Sequence, residues 1–355
     1  MNDEEVANKW KEEVCSHGDL DFTPKMADWC IAELRYIAAF HSASPENPPP
    51  IVIFHGDVVK SDTAVSTELK HALQEAVNKF QVAIPEKLKD WHPGSDGRVL
   101  DLVHPSLCPL VYGRTRILCD GETTTLDNCI ERCGQGETVD TPNFEPSPHK
   151  LKDFSTKFQW LPCEVDISGE YAKSLFFMDN YQWILTLFRR ITSYINNLHP
   201  KKERNLYELI EGLIDAAIPL WNITLAPLAD RSFQHQLRIN FAAVAYDPDP
   251  STWPESEKIK QGSDEDEDDF LDREEEWIKA NRRLVHPEPG GTFQPRQQPP
   301  PLDLKTKYGE RGLQVIVKLA NIQLTPENPD YEGGTWHVEG QRVCFFKFTP
   351  TYSPF

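Results

Sequence analysis

Two residues near the far end of the sequence have the types and spacing of a metal chelate: His337 and Glu339, within Gly333-Gly334-Thr335-Trp336-His337-Val338-Glu339-Gly340. On an extended backbone, residues i and i+2 project to the same side, so the imidazole and the carboxylate enter one cavity. They supply two of the three ligands of the facial triad that holds iron(II) and leaves positions open for a cosubstrate and oxygen. The paired glycines let the backbone turn sharply beside an ion. A bare His-x-Glu recurs by chance in many proteins, so its surroundings must carry the assignment.

The segment before it, Gly312-Leu313-Gln314-Val315-Ile316-Val317-Lys318-Leu319-Ala320-Asn321-Ile322, reads as the strongest strand in the chain, too continuously apolar for a surface edge. A turn at Thr325-Pro326-Glu327-Asn328-Pro329 separates the two. A lysine inside a buried strand must neutralise, meet an anion or reach solvent. Lys318 is therefore the candidate to bind a cosubstrate carboxylate, with a salt bridge or a snorkelling side chain as the alternative. His92, His104 and His199 each precede proline in turn-rich sequence and are read as bonding local backbone rather than metal. Tyr194 and Asn196 share one side of their segment, where core and turn roles explain them as well as a cavity lining does.

The elements that must position these residues follow from periodicity. Residues 24–42 carry Met26, Trp29, Cys30, Leu34, Ile37 and Ala38 at helical spacing behind Thr23-Pro24, a cap and first-turn proline. Ile51-Val52-Ile53-Phe54 is a short strand, and a helix follows with Leu69, Leu73, Val77 and Phe80 on one face. Residues 1–120 thus form an α-rich N-terminal region. Further on, Lys157 to Pro162, Arg190 to Ile195 and Leu237 to Tyr246 read as strands, and a helix carries Leu206, Leu209, Ile210 and Leu213 inward. The class is α+β, with residues 121–341 mainly sheet.

The net charge of −19 argues against nucleic acid as a partner, since a phosphate-binding surface needs clustered Lys and Arg. Ten acidic residues and one Arg lie between Asp264 and Glu276, without the glycine turn and spaced oxygens of a calcium loop. This run and the prolines from 287 to 301 predict a solvated, disordered insertion at about 250–302. The eight cysteines lack zinc-type spacing and read as reduced thiols. The N-terminus resembles no secretory signal and no apolar run is long enough for a bilayer, so the expectation is a cytoplasmic protein without membrane or nucleic-acid partners. Asn222-Ile223-Thr224 is then plain helix or loop sequence rather than a glycosylation site.

Several stretches resemble the fungal family called domain of unknown function 4246. They are Asp90-Trp91-His92-Pro93-Gly94-Ser95-Asp96-Gly97, Leu102 to Leu107 through Tyr112-Gly113-Arg114-Thr115, Phe158 to Cys163, Ile191 to Pro200, and Arg311 to Val315 through Gly340-Gln341. The C-terminal part of the family resembles the jelly-roll (double-stranded β-helix) fold of iron(II) and 2-oxoglutarate oxygenases. The resemblance implies His337 and Glu339 as metal ligands, iron(II) and 2-oxoglutarate as cofactors and a small molecule as substrate.

Family members continue past Gly340-Gln341 with strands that should supply a distal histidine, whereas here Arg342 to Phe355 forms a tail unlike the family. Glu170 to Arg189 is likewise interposed where the family passes almost directly between strands. Both segments are short enough to be translated introns, with a genuine helical insertion as the rival explanation for the first. The jelly roll is then truncated, and the chain is either an oxygenase scaffold inactive in this form or a non-catalytic binding module or non-functional product of a mis-spliced gene.

Overall fold

The computed structural model describes residues 3–17, 22–43, 50–53, 58–119, 121–141, 155–169, 191–230, 232–233, 239, 245–249, 252–254, 256–263, 265–295 and 297–334. In chain order these form α1 (Glu4–Ser16), α2 (Pro24–Ala43), β1 (Ile51–Ile53), β2 (Val58–Lys60), α3 (Thr67–Ala83), a 3-10 turn at Glu86–Leu88, β3 (Asp90–Trp91) and β4 (Val99–Val103). Then come β5 (Leu110–Val111), β6 (Arg116–Ile117), β7 (Glu137–Thr138), β8 (Phe158–Gln159), β9 (Cys163–Val165) and α4 (Arg204–Ala229). The last are β10 (Ala245–Asp247), α5 (Glu267–Asn281), β11 (Arg283–Val285), α6 (Leu304–Tyr308), β12 (Leu313–Val315) and β13 (Leu319–Ile322). Helices and small antiparallel sheets of two or three strands make the class α+β. Two compact units divide the chain, one of residues 1–63 and 223–300, the other of 64–222 and 301–355.

In the first unit, Asp3 starts α1 by accepting from the backbone N–H groups of Glu5 and Val6. Thr23 Oγ1 accepts from Met26 N and Pro24 opens α2, the cap and first-turn proline the sequence predicts. Ala7, Met26 and Ala27 are buried, and the ion pairs Lys11–Asp28 and Arg35–Glu4 bridge α1 to α2 at the surface. Phe293 packs on Trp29 and Tyr36 of α2, and Glu288 pairs with Lys25.

Within the stretch expected to be a solvated, disordered insertion at about 250–302, residues Glu267–Asn281 form the helix α5. Asp266 caps α5, Glu267, Asp268 and Asp269 fill its first turn, and Arg273 grips Glu265 through two hydrogen bonds of 2.7 Å. Carboxylates at that end meet unpaired N–H groups and the positive end of the helix dipole. A charge density that argues against a core therefore suits an exposed helix start, and α5 buries no residue.

The second unit holds the larger core. Leu100, Leu102 and Val103 of β4, Val165 of β9, Ile191, Ile195, Leu198, and Leu206 and Leu209 of α4 are each no more than 2 % exposed. Burying a side chain of that kind contributes roughly 1.5–3 kcal/mol. Ser66 caps α3, and its Leu69 rests on α4 at Gly212, where an added Cβ would meet both leucine methyls at 3.4 Å. Asn222, inside α4, accepts from Leu304 N at 2.9 Å.

Two expectations are corrected in this unit. The apolar run from Leu313 is not one buried strand: β12 pairs with β9, β13 pairs with β4, and residues 316–318 join the two sheets. The chain changes partner midway, which hydrophobicity does not reveal, and the exposed Ile322 lies on a strand that is an edge among the described residues. Lys318 accordingly sits at the crossover, exposed. Of the strand expected over 190–195, the described part retains one bridge, Val165 to Ile191.

The second correction concerns membrane-length apolar segments. One helix among the described residues, α4, is long and apolar enough to cross a membrane by length and composition. Core helices meet the same criteria, and α4 buries Leu206, Tyr207, Leu209, Ile210, Ile214 and Ala217.

Candidate functional site

The site is built on the hairpin of β3 and β4. Turn formers Pro93 to Gly97 reverse the chain, with positive φ at Gly94, Asp96 and Gly97. Ser95, itself buried, closes the loop: its hydroxyl donates to His92 O at 2.7 Å and accepts from Val99 N at 3.2 Å. His92 N donates to Val99 O, which sets His92 opposite Val99, while Asp90 pairs with Asp101. Side chains two apart share a sheet face, so His92 and Asp101 are diagonal neighbours. Their side chains meet, His92 Nδ1 lying 2.8 Å from Asp101 Oδ2.

His104 enters one residue beyond β4, where Pro105 ends the strand. Asn197 clamps this end from the far side of the core: its Oδ1 accepts from His104 N at 3.2 Å and its Nδ2 donates to Leu102 O at 3.1 Å. Asn196 donates to Pro105 O at 2.9 Å. Tyr207 of α4 supports the Asn196–Asn197 turn, its hydroxyl accepting from Ile195 N at 2.9 Å and donating to Leu198 O at 3.0 Å. Burial raises the Tyr207 phenol above its ordinary range, so the hydroxyl stays protonated and can serve as both donor and acceptor.

These supports bring His92, Asp101 and His104 together, with one donor atom from each lying within 4.8 Å of the others. Asp101 and His104 are 6 % and 9 % exposed, whereas the His92 side chain is 45 % exposed, giving the cluster a solvent side. The two imidazoles lie 6.0 Å apart, inclined by 62°. Trp160 meets His104 edge-on at 6.1 Å and donates through Nε1 to Ser106 Oγ, and Lys318 Nζ lies 5.8 Å from the Trp160 ring.

Two chemistries are open to such a cluster. An ionised carboxylate only accepts, so Asp101 holds the His92 proton on Nδ1 and leaves Nε2 as the basic nitrogen. Two imidazoles and a carboxylate are equally the donor set that zinc(II) and non-haem iron(II) accept.

The sequence-predicted residues divide sharply. His337 and Glu339 lie outside the described residues, as do Glu170–Arg189 and Arg342–Phe355. Lys318 joins the neighbourhood of Trp160 and His104. His199 behaves as expected, its Nδ1 accepting from the Lys201 and Lys202 backbone, and His104 Nδ1 likewise accepts from Ser106 N at 3.2 Å. His92 departs from the expectation by turning to Asp101. The signal was present in the turn-rich run between two short apolar segments, since a hairpin there places residue 92 diagonal to residue 101. Asn196 and Tyr194 take core and turn roles, and burial raises the Tyr194 phenol.

No curated protein and no solved structure matches the chain significantly. A family profile does match, over residues 24–343, and that stretch contains every residue of the site. The chain belongs to the family described as protein of unknown function, DUF4246.

Proposed function

We propose that the chain is built for iron(II)- and 2-oxoglutarate-dependent oxidation of a small molecule. The observation that carries this reading is the alignment of Lys318, Trp160 and His104. An ammonium and an imidazole both lie near one indole, at 5.8 and 6.1 Å, so Lys318 Nζ is no farther than about 12 Å from the His104 ring centre. A cosubstrate carboxylate held by the Lys318 ammonium would lie beside the Trp160 ring. Bound iron would supply oxygen activation; the chain's own residues orient the cosubstrate and, through the Trp160 face, exclude water from one side. In this reading His337 and Glu339 are metal ligands, and the C-terminal strands belong to a jelly roll.

A non-catalytic binding module is the second reading, favoured by the exposure of Lys318, because a hydrated ammonium binds a carboxylate weakly. Purified protein supplied with iron(II), 2-oxoglutarate and oxygen separates the two. Succinate release that falls about tenfold or more in Lys318→Ala, through a higher KM, and disappears in His337→Ala supports the oxygenase; no succinate and no 2-oxoglutarate binding supports the module.

A further inference from the structure

We propose that His92, Asp101 and His104 form a site for one borderline divalent transition ion, zinc(II) or iron(II), independent of the His337 and Glu339 pair. Three features carry this. The first is spacing. Two ligands each about 2.0–2.1 Å from a metal lie about 2.9 Å apart at the right angles of an octahedral iron(II) and about 3.4 Å apart at the tetrahedral angle of zinc(II). His92 Nδ1 and Asp101 Oδ2 already stand at 2.8 Å. A metal replaces the proton between them, and His92 then carries its proton on Nε2.

The second feature is charge. Asp101 is 6 % exposed, and the register places Asp90 directly across from it on the same sheet face. Like charges opposed across a strand pair destabilise it, and a buried carboxylate calls for a cation. The third is mechanical. Asn197 fixes the His104 backbone and β4 fixes Asp101, and since His92 and Asp101 already stand at 2.8 Å, closing the remaining spread of at most 4.8 Å to ligand distances needs rotation of the His104 ring. His104 contributes by releasing its contact with Ser106 N, because an imidazole that gives one lone pair to a metal keeps its proton on the other nitrogen.

Chelator-stripped protein titrated with zinc chloride in a calorimeter tests the site, with cobalt(II) absorption as a second probe. We expect one saturable equivalent, an affinity lowered about 100-fold or more in His92→Asn, and wild-type affinity in His337→Ala and Glu339→Ala. His92→Asn changes a half-exposed side chain, and an unchanged far-UV spectrum establishes that it folds. The Ser106 amide resonance should shift on zinc addition in the wild type and not in His92→Asn. Absence of saturable zinc binding, or binding that His92→Asn leaves intact, overturns the site. Zinc binding without 2-oxoglutarate turnover would sink the oxygenase reading and leave this one standing.

Discussion

Asp101 and His92 lie nine residues apart in the chain, yet Oδ2 of one is 2.8 Å from Nδ1 of the other, and only the aspartate is buried. Asp101 sits within β4, between β3 and β13, and is fixed by backbone pairing on both sides. His92 sits at the loop end of the hairpin, its side chain 45 % exposed. A fixed, buried anion paired with a movable, accessible imidazole suits a site that must admit a ligand from solvent.

Asn197 connects this site to the core. It holds a left-handed φ of 53° and bonds both sides of the β4 end. Replacing it with Ala leaves a buried N–H and a carbonyl unpaired and keeps a backbone shape that alanine disfavours, costing about 1–3 kcal/mol. Asn197→Asp retains the acceptor for His104 N and should lose less. Chemical denaturation of both variants checks the order, and equal losses would show that the His104 contact is immaterial.

Tyr207→Phe removes a hydroxyl that satisfies two backbone groups in the core. Leaving Ile195 N–H without its acceptor should cost about 1–3 kcal/mol. A melting temperature unchanged from wild type would mean that water takes over the role.

Alkaline pH should weaken the fold. Burial pushes the Cys163 thiol up to about 12 from its ordinary 9.0, so the folded chain keeps a proton that the unfolded chain loses. Its contribution is whole below pH 9 and declines as pH rises toward about 12; the raised Tyr207 phenol acts in the same direction above its ordinary 10.0. Stability measured across this range should fall less steeply in Cys163→Ala, and parallel curves would contradict the assignment.

At the acidic end, the Arg273 guanidinium beside Glu265 holds its carboxyl at about 2 rather than 4.5. The stabilisation is present above 4.5 and is lost as pH falls toward 2. Carbon-detected titration of Glu265 should give that low midpoint, and Arg273→Ala should return it to the ordinary range. A wild-type midpoint near 4.5 would show that the pair does not persist in solution.

Gly312 has a φ of +72°, and an added Cβ would lie 2.7 Å from Val165 O. Gly312→Ala should therefore part β12 from β9 and destabilise the chain by about 1–3 kcal/mol. Hydrogen exchange at Leu313 and Val315 reads this directly, and unchanged protection would mean that the backbone accommodates the methyl.

What the sequence alone determined is local. The helix expected at 24–42 is Pro24–Ala43 and the one carrying Leu69 and Val77 is Thr67–Ala83, because apolar spacing, caps and i to i+4 bonds all lie within a few turns of chain. Family membership was legible in the same way, from contiguous stretches. Partner choice was not. Leu313 to Ile322 has the hydrophobicity of one strand, but Val315 pairs with Cys163 while Ile322 pairs with Val99, and no local property divides the run at Ile316. His92 and His104 carry the same local sign, a histidine before proline, yet one turns to Asp101 and the other to its own turn. Tertiary structure decided these, since strand register and the Asn197 clamp depend on contacts between distant residues, whose energies no short window of sequence contains.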